Sequence, residues 1–578
     1  MLEALVKHYE NLAAEGKVPR PGWSKVKVSF ALRLDELGNV VQLLDLRKDG
    51  SRDMWVPEQS QRSGKKIKPQ FLCDNCSYIL GINDKNGLHE CEERFKAAAE
   101  MHKNILEKCS SKMANSVKRF FSNWDIKKIE QCECLKADIE EILKGSNITF
   151  MLEGDFATED EEIKEVWEEY IEKQGETKKS QCLVTGEIRT IARLHPDIKG
   201  VRGSLSKGGK LVSFNERAYE SYGHDNGQGL NAPVSEYAAF AYTTALNVLL
   251  ADSSHVSVFG DTTLVYWAEK DNETYQDCFG GFCLQDENIM EDKDLTYIFS
   301  CLKKDEPINY KGIDIEYENK FYILGLSPNA ARLSVRFFLQ SDFGSILKNA
   351  AKHMADMELV HPSYKRKHIP LWLMLAATVS PKSKDRAASP LLSGAVLKSI
   401  LMGRNYPASF FQYVMLRIRS EQDDTETNPP VYKITYERCA VIKAYLCRNG
   451  KRGITVALNE NENDVAYVLG RIFAVWEHIQ AEANKGINAT IKDRYFDSIC
   501  ATPARIFPIL QKLSSHHLRK LEDGRRIFFE KQLTSLMGKI NAGEIPNILP
   551  LKEQGMFVLG YYHQVQVRYA KKEDKDNG

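Results

Sequence analysis

The cysteines are the first residues to weigh for chemistry, 13 in 578. Cys73 and Cys76 form a C-x-x-C, and Cys132 and Cys134 a C-x-C after a long gap. Two close pairs of thiolates complete a zinc tetrahedron, but here the second pair is too tight and the intervening segment reads as helical. Buried or idle thiols are expected, kept reduced by a cytosol, and no metal is assigned. Gly203-Ser-Leu-Ser-Lys-Gly-Gly209 lacks the Gly-Lys-Ser/Thr ending that grips a nucleotide's phosphates and magnesium. His224-Asp225 has the form of paired metal ligands, with no second histidine cluster at suitable spacing. His516 and His517 are adjacent on a helix, so they point about 100° apart and cannot share a metal. Asp252 and Asp261 flank one strand, where turn caps are the expected role. Gly-x-Ser-x-Gly and His-Glu-x-x-His are absent. The expectation is a chain with no active site and no cofactor. The catalytic alternative is a metal-dependent nuclease using His224, Asp225, Asp252 or Asp261.

Other residues are suited to holding a polyanion. From Ile198 to Asn215, glycines let backbone amides approach a phosphate chain, Ser204 and Ser206 donate, and Arg202, Lys207 and Lys210 neutralise charge. Beyond it, Tyr219 to Pro233 mixes aromatic rings with the amides Asn226, Gln228 and Asn231. Rings stack on exposed bases and amides read base edges; the plain alternative is a surface loop whose glycines make turns. Lysine and arginine total 79 against 79 acids, yet charge is segregated. Glu153 to Glu176 carries 11 acids against two lysines, whereas Lys485 to Lys572 carries 15 basic residues against seven acids. The stretch Lys178 to Arg217, with Arg193, is also basic. Local basic surface, not the total, decides whether phosphate docks.

These residues need elements to position them. Leu5, Tyr9 and Leu12 predict a helix over Leu2 to Ala14. Val26 to Leu34 alternates like a strand, with Val40 to Leu46 its hairpin partner after Gly38-Asn39. Gly64 to Pro69 is a basic loop carrying Lys65, Lys66 and Lys68. Residues 90 to 145 read as helices, and the acidic run after Gly154 as a solvated one. Cys182 to Val184 and Lys210 to Phe214 are expected to be short strands. A helix is expected over Pro233 to Leu250, then strands at Val256 to Phe259, Thr262 to Trp267, Phe321 to Leu326 and Leu333 to Leu339. Helices follow from Phe343. Val465, Val468, Leu469, Ile472, Phe473, Trp476 and Ile479 make one apolar stripe, Thr502-Pro503 opens a helix to about Leu521, Asp523-Gly524 breaks the chain, and Pro550 opens a final helix. Four or five antiparallel helices with short loops make a bundle, its polar faces carrying Lys512, Arg519, Lys520, Arg525, Arg526 and Lys531.

The fold class is therefore α+β: an N-terminal mixed region of short strands and glycine-rich loops, followed by a C-terminal helical bundle. The regions are 1–150 with its basic loop, 151–180 acidic and helical, 181–345 sheet-containing with glycine-rich loops, 346–460 a helical connection, and 461–578 the basic bundle. No stretch approaches the ~20 apolar residues that cross a bilayer, and Met1 to Lys7 lacks a signal peptide's apolar core. A cytoplasmic protein, with no membrane partner, is expected.

Cys182-Leu-Val-Thr-Gly-Glu187, Ile191-Ala-Arg-Leu-His195, Ile198-Lys-Gly-Val-Arg-Gly203, Gly227 to Asn247, Gly260-Asp-Thr-Thr263, Leu326 to Arg336 and Leu469 to Val475 resemble the large subunits of the type I-C CRISPR Cascade complex. The resemblance runs over essentially the whole chain. It departs at Cys73 and Cys76, where the family keeps the central Asp-Asn and requires no cysteines. It implies a subunit without enzymatic activity, sitting beside the handle-binding subunit at the foot of a backbone loaded with guide CRISPR RNA. Such a subunit recognises a protospacer-adjacent motif in target double-stranded DNA, helps separate the strands, steadies the displaced one, and offers a landing surface to a helicase–nuclease. The C-terminal bundle then resembles the small subunit, a separate copy of which arises in this family by internal translation. On that reading Asn75, with Lys65, Lys66 and Lys68, faces the motif duplex. Ser204, Ser206, Lys207, Lys210, Gln228 and Asn231 contact duplex, handle or strand junction. Arg193, Arg202, Lys512, Arg519, Lys520, Arg525 and Arg526 contact nucleic-acid backbone. A purely architectural subunit that never touches DNA is the remaining alternative.

Overall fold

The computed structural model describes the chain except residues 48–51, 60–66, 83–87, 137, 175–177, 215, 221–227, 271, 287, 385–386, 429, 488, 542 and 577–578. It is an α+β protein, with short strands in the N-terminal region and helices in the C-terminal one. The chain divides into two compact units: Met1–Ile198 with Lys210–Val248, and Lys199–Gly209 with Leu249–Gly578.

In the first unit the helix Leu2–Ala14 buries Leu5, Tyr9 and Leu12, as their spacing predicts. Strands β1 (Trp23–Val28), β2 (Phe30–Leu34), β3 (Val40–Asp45), β4 (Arg52–Pro57), β5 (Cys73–Asn75), β6 (Asn147–Leu152) and β7 (Asp155–Phe156) follow. The alternating run Val26 to Leu34 is thus two strands, not one. Ser29 breaks it: its N–H donates to the Asn147 carbonyl at 3.0 Å and its own carbonyl accepts from Leu46 N at 2.9 Å. In consequence β1 pairs with β4 alone, while β2 joins a second sheet of order β3-β2-β6-β5, with β7 on β6. The β2–β3 hairpin is antiparallel and β2–β6 parallel. Its turn needs Gly38 (φ +82°), because a Cβ there would lie 2.4 Å from the Phe120 nitrogen. Helices Leu88–Ile105 and Lys112–Asn123 close over Phe30, Phe71, Phe120 and Phe150, all buried.

The acidic run becomes the helix Glu161–Gln174, which buries Ile163 and Trp167 and exposes Glu161, Glu165 and Glu169, while one carboxylate oxygen of Glu168 is buried and burial raises its pKa. After it come β8 (Lys179–Gln181), β9 (Ile188–Thr190) and the helix Glu236–Ala251. The strand expected at Cys182 to Val184 is instead the β8–β9 turn, closed by Cys182 N to Glu187 O (2.8 Å) and Gly186 N to Cys182 O (2.9 Å). The one expected at Lys210 to Phe214 is irregular.

The second unit is built on an antiparallel sheet of order β10-β11-β14-β15, from β10 (Val256–Phe259), β11 (Thr262–Ala268), β14 (Lys320–Asn329) and β15 (Arg332–Asp342). A small hairpin, β12 (Asn309–Tyr310) and β13 (Ile313–Asp314), lies between them in the chain. Every residue of β11 is buried, as a continuous apolar run covered on both faces requires. From Phe343 the unit is helical, ending in Val465–Ala483, Ile491–Ala501, Pro503–Leu518, Asp523–Met537 and Leu551–Asp576. Asp523 and Gly524, expected as a break, form the first turn of their helix, which starts after Glu522. Val465–Ala483 is buried almost all round, the mark of a central helix.

Candidate nucleic-acid interface

Four groups of residues hold the sequence-predicted contacts. The first centres on Asn75. Leu72, just before β5, has φ +57°, a left-handed conformation costly for a branched side chain. Three bonds hold the turn: Leu72 N to His102 Nε2 at 2.9 Å, Thr149 Oγ1 to the Leu72 carbonyl at 3.0 Å, and Gln70 N to Asp74 Oδ2 at 2.8 Å. His102 also meets the Ala98 carbonyl through Nδ1 at 2.7 Å. Nδ1 is therefore the donor and Nε2 the acceptor, the neutral tautomer. Burial pushes the His102 pKa down to about 4. Asn75 Oδ1 accepts from Ser77 N and Ser77 Oγ at 3.1 and 2.6 Å, capping the short helix Cys76–Ile79. Its Nδ2 has no partner among the described residues, and the side chain is half-buried. Arg94, which the sequence reading passed over, reaches Ser77 Oγ at 3.3 Å and lies over the Tyr78 ring at 5.6 Å. Lys68 is exposed, and its N–H donates to Tyr78 Oη at 3.3 Å. Lys65 and Lys66 lie outside the described residues.

The second group, also in the first unit, is spent largely on itself. Arg193 donates to Gln228 Oε1 at 2.8 Å, and Asn231 Nδ2 to the Gln228 carbonyl at 3.0 Å. Lys210 Nζ is tied to the His195 carbonyl at 2.6 Å and pairs with Asp197 at 3.1 Å. Gly229 is obligatory: a Cβ there would sit 2.0 Å from the Ala192 carbonyl oxygen. The Cys182 sulfur accepts from Ser235 N (3.2 Å) and Val184 N (3.4 Å). Burial raises its pKa, but the bonds around Ser235 and Thr185 outweigh this and bring it down to about 7. Lys210 is thus neutralised within the chain, and Arg193 serves first to hold Gln228. His224, Asp225 and Asn226 lie outside the described residues.

The third group is the Lys199–Gly209 loop of the second unit. Gly200, Gly203 and Gly208 have φ of +90°, +78° and +99°, which is why glycine recurs. Arg202 N donates to Thr263 Oγ1 at 3.1 Å and Ser204 Oγ to the Val201 carbonyl at 2.7 Å. A Cβ on Gly209 would meet Leu333 at 3.2 Å, so the loop lies on the β14–β15 end of the sheet. Arg202, Ser206 and Lys207 are exposed, and neither cation has an acidic partner among the described residues.

The fourth group is in the bundle. Arg525 pairs with Glu482 (Nε to Oε2, 2.9 Å) and lies over the Phe528 ring at 5.0 Å. Arg526 pairs with Asp523 at 2.8 Å, and Lys520 donates to Asn484 Oδ1 at 2.8 Å. Lys512 and Arg519 are exposed, without an acidic partner among the described residues. With Arg505, Ile509 and His516 they follow one face of Pro503–Leu518, within about 80° of arc at 100° per residue. Residues 503–521 contain no acid. Arg505, Lys512 and Arg519 recur every seven residues, about 10 Å apart along the axis. Arg505 is not among the sequence-predicted contacts and His516 only among the metal candidates, although the seven-residue recurrence and the acid-free run are in the sequence.

Asp252 and Asp261, weighed for catalysis, have other partners. Asp261 pairs with Arg336 at 3.0 Å, and Asp252 caps Ser254 N at 2.9 Å. Cys73 is buried in β5, where burial raises its pKa, and Cys132 Sγ lies 3.0 Å from Cys134 Sγ. Among the described residues no three His, Cys, Asp or Glu side chains gather into a metal-sized cluster, and no helix is long and apolar enough to cross a membrane.

In comparison with known families, the family described as CRISPR-associated protein (Cas_Csd1) aligns with residues 5–569. No curated protein matches the chain.

Proposed function

The chain belongs to the CRISPR-associated protein (Cas_Csd1) family, and from that premise we propose that it is the non-catalytic large subunit of an RNA-guided DNA surveillance complex of type I-C. It recognises a short motif in duplex DNA, promotes strand separation, steadies the displaced strand and supports arrival of a helicase–nuclease. Its partners are guide RNA, target duplex, and the backbone, handle-binding and small subunits.

One observation carries the reading: the acid-free cationic face of Arg505, Lys512 and Arg519, exposed along one helix and its C-cap. Lysine and arginine at such spacing neutralise phosphates without reading bases. The exposed Arg202 and Lys207 of the glycine loop add a second such surface. Asn75 is different in kind. Its oxygen is committed to the helix cap, which leaves the Nδ2 donor pointed by a braced turn, a group able to read a base edge. Exchange of a DNA duplex for an RNA–DNA duplex is nearly balanced in energy, so a few contacts of this sort decide whether strands open.

The test is reconstitution. Guide-loaded complex with this chain is expected to shift motif-bearing duplex more tightly than motif-less duplex, and complex lacking it to lose the difference. Equal binding of both duplexes with and without the chain contradicts the proposal.

A further inference from the structure

We propose that the helical part of the second unit carries a pocket for a phosphate-bearing ligand, built from residues that none of the contacts above use. A cavity of about 620 Å³ is lined by Lys352 and Asp356 of Phe343–Met357, Lys443 and Arg448 of Tyr436–Gly450, and the following Lys451 and Arg452. Its volume is that of an ordinary small-ligand site.

The charge on its walls is out of balance: five cations face one carboxylate. Arg452 is satisfied elsewhere, by Asp464 at 3.0 Å and by Glu553. Lys352 and Lys451 are exposed at the rim and have no acidic partner among the described residues. The floor holds two buried cations. Lys443, 3% exposed, donates to the carbonyls of Ala355 (3.3 Å) and Asp356 (3.0 Å), which are dipoles and not counter-charges. Arg448, its side chain 2% exposed, reaches Asp356 Oδ2 through Nε at 2.8 Å and lies on the Tyr406 ring at 4.4 Å. Its Nη1 and Nη2 are buried with no acceptor. The lining's one carboxylate is bonded to Arg448, and Lys443 has only carbonyl partners among the described residues. Holding such a charge uncompensated out of water is costly, and an anion in the cavity supplies the missing counter-charge.

Phosphate is the anion the lining suits. Lysine and arginine converge on the space from three segments, the donor set that phosphate oxygens take. Among the described residues no aromatic ring lines the cavity to stack a base, and Ile454 is the one large apolar side chain in its lining. The ligand is held by its phosphate, whether that belongs to a free nucleotide or to the end of a strand.

The proposal is independent of the complex proposed above, since isolated full-length chain tests it. Calorimetric titration at fixed ionic strength would use inorganic phosphate, 5′-phosphorylated dithymidylate and its unphosphorylated counterpart. Both phosphate probes are expected to saturate one site, and the unphosphorylated dinucleotide not to bind. K352E/K451E, altered only at the exposed rim and checked by its melting curve, should weaken both at least about tenfold; R448M should do the same if it folds. Phosphate binding unchanged in K352E/K451E, equal binding of the two dinucleotides, or tighter binding of an oligoglutamate peptide than of either phosphate probe overturns the proposal. Strand-end specificity shows as tighter binding of the phosphorylated dinucleotide than of inorganic phosphate; equal affinity assigns the site to free phosphate chemistry.

Discussion

At the scale of single residues, the Asn75 side chain does two jobs that can be separated. The oxygen caps Cys76–Ile79, and the nitrogen is left for a ligand. Asn75→Ala should lose about 1 kcal/mol from the cap together with motif discrimination. Asn75→Asp keeps a good cap but removes the donor, so thermal melting should be close to the parent's while discrimination is lost. An Asn75→Asp complex that discriminates like the parent removes Asn75 from the recognition account. Behind it, His102 must stay neutral for Nε2 to accept from Leu72. Its pKa is depressed to about 4 in the folded chain from an ordinary 6.5, so the unfolded chain binds the proton first. Stability is full above pH 6.5 and falls as pH drops toward 4. His195, His478 and His563, depressed by burial to about 4, act in the same direction. Urea midpoints should fall steadily from pH 7 to pH 5; a flat profile contradicts neutral burial. None of this was legible in the sequence, where the Asp74-Asn75 pair stood out but His102, some thirty residues on, carried no signal.

At the scale of elements, periodicity read a helix such as Leu2–Ala14 well because Leu5, Tyr9 and Leu12 make one repeating apolar stripe. It failed where the reason is a distant partner. The Val26 to Leu34 run is broken by a bond from Ser29 to Asn147, more than a hundred residues away. Likewise Gly470 looks like a weak point inside an apolar helix. It is instead where Val465–Ala483 crosses Leu551–Asp576: a Cβ on Gly470 would lie 2.0 Å from the Phe557 oxygen, and one on Gly560 2.0 Å from the Tyr467 oxygen. The two glycines let the helices touch through backbone. Gly470→Ala or Gly560→Ala should destabilise the bundle by about 1–3 kcal/mol or more, read as a lower denaturant midpoint. Gly524→Ala, with nothing within 4 Å of its Cβ, is the control and should cost little. Equal effects at all three positions would contradict this packing.

At the scale of the molecule, a net charge of zero hides where cations are available. Regional counting found the basic C-terminal stretch, but only the structure sorts its cations by what they already hold. Arg525 and Arg526 are paired and Lys520 is hydrogen-bonded, whereas Arg505, Lys512 and Arg519 are exposed on one acid-free face. The same sorting demotes Lys210, which pairs with Asp197. The central claim is that this face grips phosphate without regard to sequence while a separate site reads the motif. The most direct test is the affinity of guide-loaded complex for motif-bearing and motif-less duplex over a range of salt concentrations, with the parent chain and with R505E/K512E/R519E. The account predicts weaker binding of both duplexes by the same factor, and a log–log salt slope shallower by about 2–3. An unchanged slope, or a loss confined to the motif-bearing duplex, would contradict it.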